Sequence, residues 1–140
     1  MGTLVDELMK ADAKKVGDLK KGTYLSKKLA ELLGKEEKVE IIIREIPSRR
    51  INDLSAYQYD RKGNMDYSKN FDAKLMTCVE GIIEPNLRDE ELQAHFKCKT
   101  ANELCEKLFG FEVNYISDAI MSLSDVKEDA EEDTEEEIKN

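Results

Sequence analysis

The sequence predicts a mainly α fold. It reads as a compact bundle of short helices with one small β element, a strand near residues 39–46 expected in a hairpin. A disordered acidic C-terminal tail should follow. Three observations predict this. Apolar residues recur at helical spacing in most segments, with capping residues or glycine at their ends. Only one run, KVEIIIREIP, is strongly β-branched. The charge is also uneven. Residues 125–140, DVKEDAEEDTEEEIKN, hold nine acids against two lysines, a net of −7 within −9 for the whole chain. The preceding 124 residues hold 20 bases against 22 acids, so the expected globule is nearly neutral.

Taken in order, Thr3 to Lys15 predicts a short amphipathic helix on Leu4, Leu8 and Ala11. Gly17 and Gly22, with lysines between them, end it as an N-terminal arm over 1–19. A domain over 20–124 follows. TYLSKKLAELLG places Leu25, Leu29, Leu32 and Leu33 on one helical stripe, and Gly34 supplies its stop. The strand KVEIIIREIP ends at Pro47 and needs a partner for its backbone groups. That partner is either an upstream segment near Thr23–Leu25, which is favoured, or another subunit.

Ser48 is expected to cap RRINDLSAYQY, with Ile51, Leu54 and Gln58 facing inward. DRKGNMDYSKN reads as a loop. A helix over about 70–83 follows, with Phe71, Leu75, Val79, Ile82 and Ile83 on one face, ended by Glu84-Pro85. Asp89 to Phe96 is a short helix. Thr100 and Glu103 form a capping box opening a helix with Leu104, Cys105, Leu108 and Phe109 inside, closed by Gly110. The last helix, about 111–123, buries Val113, Ile116, Ile120 and Leu123.

A globule of about 120 residues can bury a core without disulfides or metal. No apolar run approaches the 18 to 20 residues or so of a membrane span, and no secretory leader is legible at the N-terminus. Three cysteines, Cys78, Cys98 and Cys105, then read as free thiols in a reducing compartment, and the protein as cytoplasmic.

Catalytic chemistry finds little support. His95, Cys98 and Cys105 give H-x2-C-x6-C, which lacks the paired spacings of tetrahedral zinc. Cys105 also falls on the apolar stripe of its own helix. A Cys–His nucleophile needs a third, orienting group, and none is evident. Asp89-Glu90-Glu91 sits where a helix start favours negative charge. There is no phosphate loop or dinucleotide fingerprint, so no cofactor and no enzymatic activity are expected. Arg44, Arg49, Arg50, Arg61 and Lys62 form a modest basic cluster, but nucleic-acid binders usually carry a basic domain with interleaved aromatics. Neither nucleic acid nor membrane is an expected partner.

Four segments carry a family resemblance. They are YLSKKLAELLGKEEKVEIIIREIP, FDAKLMTCVEGIIEPNL, the short DEELQAHF, and KTANELCEKLFGFEVNYISDAIMSLS. In this order, over roughly 20–124, they resemble the XkdN-like tail assembly chaperones of phages and phage-like elements. The acidic tail is taken to lie outside the shared region. The resemblance implies a non-enzymatic protein of the bacterial host cytoplasm, absent from the mature virion. It implies binding to the tape measure protein and help in polymerising the tail tube protein around it.

The partner-facing candidates are Ile41 and Ile43 on the strand, and Ile116, Ile120 and Leu123 on the closing helix. The same residues also read as plain core, which is the favoured reading. Self-association is a further expectation, since an unpaired strand edge invites it. Two other readings remain at this stage: a structural or adaptor component of a phage tail, and an acidic inhibitor that mimics DNA.

Overall fold

The β-branched run does form a strand, β2, Val39–Arg44. In a computed structural model, which describes residues 2–124, β2 is the middle strand of a three-stranded antiparallel sheet. The expected disordered tail, 125–140, lies outside the described residues. The upstream partner is β1, Lys21–Ser26, paired from Lys21 opposite Arg44 to Ser26 opposite Val39. The third strand is β3, Ile82–Glu84, with Ile43 opposite Ile82.

Two sequence expectations change here. The β element is more than a tight hairpin, because a helix, α2 (Lys27–Leu33), lies between β1 and β2. The stripe Leu25–Leu29–Leu32–Leu33 also breaks up. Leu25 belongs to β1, and only Leu29 of the four is buried; Leu25, Leu32 and Leu33 are exposed. The switch comes at Ser26, whose extended backbone ends the strand while its hydroxyl accepts from the Leu29 amide and opens α2. Gly34, at φ +68°, closes that helix in the left-handed conformation.

The N-terminal helix is shorter than its pattern suggests. α1 covers Leu4–Met9, with Thr3 and Asp6 in a reciprocal capping box. Asp12 then accepts from the Lys14 amide and starts a separate 3-10 turn, Ala13–Gly17. No residue of α1 or of this turn is buried. α3, Ser48–Ala56, has Pro47 before its first turn, so Ser48 is the first helical residue rather than the cap. Leu54 is buried, while Ile51 and Gln58 are half-buried. The polar loop after it closes on a Tyr59–Met65 bridge.

α4, Asn70–Gly81, stops two residues before the expected end. Ile82 and Ile83 instead extend into β3, the state their branched side chains favour once β2 offers an edge. α5, Glu90–His95, starts at Asp89, whose carboxylate accepts from the Leu92 amide. α6, Ala101–Phe109, starts at Thr100, which accepts from the Glu103 amide. Glu103 reaches back one residue further than a standard box, to the Lys99 amide. α7, Glu112–Leu123, is the closing helix.

The core gathers Ile41 and Ile43 of the sheet, Leu75 and Val79 of α4, Leu104, Leu108 and Phe109 of α6, and Val113, Ile116 and Ile120 of α7. α7 packs on α4 and also on β1 and β2, so it ties the sheet to the helices. Its approach to α4 depends on Gly81. A Cβ there would stand only 2.5 Å from Ile120 Cδ1.

Candidate functional site

The five residues expected to face a partner are interior or half-buried. Ile41 and Ile43 are each 1% exposed, and Ile116 and Ile120 are 0% exposed. Leu123 is partly buried against the core, its Cδ2 3.0 Å from where a Cβ of Gly22 would stand. Strand period two and helix period 3.6 explain the placement, because these residues define the faces that bury. A partner meeting the folded chain meets their neighbours instead. On β2 that is Ile42, 39% exposed; beside and on α7 they are Phe111, 71%, and Tyr115, 55%.

A carboxylate fixes this corner. Glu112, at the start of α7, accepts from the Tyr24 hydroxyl at 2.8 Å and the Ser26 hydroxyl at 3.1 Å, and also from the Lys28 amide. One side chain thus joins β1, the start of α2 and the start of α7. Burial, reinforced by the hydrogen bond to Glu112, raises the Tyr24 phenol well above its ordinary range. With the start of α7 held here, Phe111 and Tyr115 stand outward one turn apart. Their rings meet edge to face at 5.7 Å between centroids. Sequence reading missed this arrangement. An acid in a first helical turn is commonplace, and nothing local points to partners more than 80 residues away.

β1 is an outer strand of the sheet, and Leu25 and Ile42 are exposed beside it. An open groove of about 850 Å³ starts at the first residue of β1 and is lined by residues including Leu19, Lys21, Arg44, Ile83, Asn86 and Arg88. Arg44 Nε donates to the Glu80 carbonyl at 3.1 Å, and Arg50 pairs with the Glu80 carboxylate. Two members of the basic cluster seen in the sequence therefore brace the end of α4.

His95 is exposed and meets Phe96 edge-on, Cys98 is half-buried, and Cys105 is in the core. A hydrogen bond with Cys105, then burial, push the Cys78 thiol far up. Among the described residues no three His, Cys, Asp or Glu side chains group as metal ligands. No described helix is long and apolar enough to cross a membrane.

Residues 5–139 match the family described as phage XkdN-like tail assembly chaperone protein. The chain belongs to this family. No curated protein and no solved structure matches it. The match is longer than the 20–124 stretch that carries the resemblance in the sequence. It takes in α1 from Val5 onward and all of the acidic segment but Asn140, so that segment lies within the region shared by the family and not beyond it.

For a tail assembly chaperone the site to look for is a surface that holds another protein. Among the described residues, exposed large apolar side chains include the Phe111–Tyr115 pair, Leu25 of β1, and Leu32 and Leu33 at the end of α2. All but Phe111, which precedes α7, belong to elements that also contribute to the buried core or pack on it.

Proposed function

We propose that this chaperone binds the tape measure protein during phage tail assembly, keeps it soluble, and assists polymerisation of the tail tube protein around it. The observation that carries the reading is the amount of apolar surface left outside a completed core. Phe111, Tyr115, Leu25 and Leu32 are each more than half exposed, although the chain buries a full set of Ile, Leu, Val and Phe side chains inside. Contiguous exposed apolar surface marks sites where proteins meet. An exposed aromatic pair in edge-to-face contact suits the apolar face of an amphipathic client helix.

The role is one of binding and involves no covalent chemistry on the client. It operates in the bacterial host cytoplasm, and the protein leaves before the virion is finished. Self-association through the open edge of β1 belongs to the same reading, because an outer strand presents backbone donors and acceptors to a second copy. The test is co-expression with the tape measure protein of the same genome. Recovery of that protein in the soluble fraction, as a complex with this chain, is the expected result. An insoluble client with nothing co-purifying would overturn the reading.

A further inference from the structure

We propose that the acidic segment 125–140 of this chain docks in the groove at Lys21, Arg44 and Arg88, as an internal ligand of that site. Three observations converge on this occupant.

The first is charge. Lys21, Arg44 and Arg88 line the groove against two acids, Asp18 and Glu80. The Glu80 carboxylate is already paired with Arg50, so among the lining residues Asp18 is the one acid left to face the three cations. The wall at Gly17 to Lys21 also continues from a 3-10 turn that carries Lys14 and Lys15. Against this stands a segment with a net charge of −7.

The second is position. α7 ends at Leu123, which packs on Gly22, and the next residue back along β1 is Lys21 in the groove wall. Gly22 and Lys21 point to opposite faces of the sheet, so the segment has to pass around β1. β1 is an outer strand, so no further strand of the sheet stands in that route among the described residues. The third is reach. Sixteen residues span up to about 50 Å when extended, and the segment starts beside Gly22, the neighbour of Lys21.

The individual contacts are surface ion pairs, weak and screened by salt. Occupancy comes from the tether, which holds the segment at roughly millimolar effective concentration. The docked segment would compete with any acidic stretch of another protein for the same groove.

The test uses the full chain, 15N-labelled, with Cys98→Ser and a nitroxide on Thr134→Cys; Cys78 and Cys105 are buried. At low salt the amides of Asp18, Lys21 and Arg88 should lose most of their intensity relative to the reduced label. The loss should disappear in about 1 M NaCl, where the screening length is about 3 Å. It should also disappear in a Lys21→Glu/Arg88→Glu variant whose remaining spectrum is native. Groove amides unaffected at low salt would overturn the proposal, as would broadening centred elsewhere or broadening that survives the charge reversal. A mixture of 15N-labelled chain without nitroxide and unlabelled chain with it provides the control. Broadening there of the strength seen in the single sample would assign the groove to the tail of a second copy and would also overturn it.

Discussion

At Gly81 the packing of α4 on α7 leaves no room for a side chain. Helix propensity alone would have alanine stabilise this position by roughly 0.5–1 kcal/mol. A Cβ 2.5 Å from Ile120 Cδ1 reverses the sign, since overpacking a filled core costs about 1–3 kcal/mol. Gly81→Ala should therefore lower the thermal midpoint. Ile120→Val should recover part of the loss, which a double-mutant cycle would read as coupling.

Glu112 is the second residue whose role is out of proportion to its appearance in the sequence. Glu112→Ala leaves the hydroxyl of buried Ser26, the Lys28 amide and the Tyr24 phenol without their acceptor. A loss of about 2–3 kcal/mol by chemical denaturation is the expected outcome. Tyr24 gives a pH signature of the same corner. Its folded pKa lies above its ordinary value of 10.0. The associated stability is therefore complete below about pH 10 and falls as pH rises toward the folded pKa. The stability difference between the native chain and Tyr24→Phe should accordingly shrink above pH 10. The apolar stripes of α6 and α7 were legible residue by residue, because periodicity reports which side is buried. Periodicity does not report which acid a distant hydroxyl will find, so Glu112 was not.

At the scale of elements, the sequence pattern was clearest where one period ran uncontested. β2, α6 and α7 lie where their patterns put them. The departures fall where two patterns overlap. Leu25, Leu29, Leu32 and Leu33 have helical spacing, yet Lys21 to Ser26 pairs with β2, because an isolated strand leaves its backbone groups unsatisfied. Ile82 and Ile83 continue the helical stripe of α4 on paper and become β3 for the same reason. Local propensity is a weak prior when a sheet edge is waiting.

Placing Cys78 on α4 against Cys105 on α6, both in the core, leads to a simple element-level prediction. In the native chain a thiol reagent should titrate Cys98 quickly and the other two only on unfolding. Three fast thiols would mean that the α4–α6 contact opens readily.

For the whole molecule, a buried set of apolar residues holds the fold, and a second set of apolar residues stays exposed. The isoleucines singled out from sequence, Ile41, Ile43, Ile116 and Ile120, belong to the first set. Sequence periodicity picked out the inward faces of β2 and α7, because a strong apolar period looks the same whether it buries or binds. Ile120→Asp should unfold the domain, since it puts an unpaired charge at a fully buried site. Circular dichroism reads this directly, and a native spectrum would contradict the packing described.

The central claim is that the exposed set captures the tape measure protein. The most direct measurement is co-expression of that protein with a Phe111→Ser/Tyr115→Ser variant, beside the native chain. Both changes lie on the surface and should leave the thermal midpoint close to native. The account predicts that the native chain brings the tape measure protein into solution as a complex, whereas the variant, still folded, leaves most of it in the pellet. A folded variant that solubilises the client as well as the native chain does would contradict it.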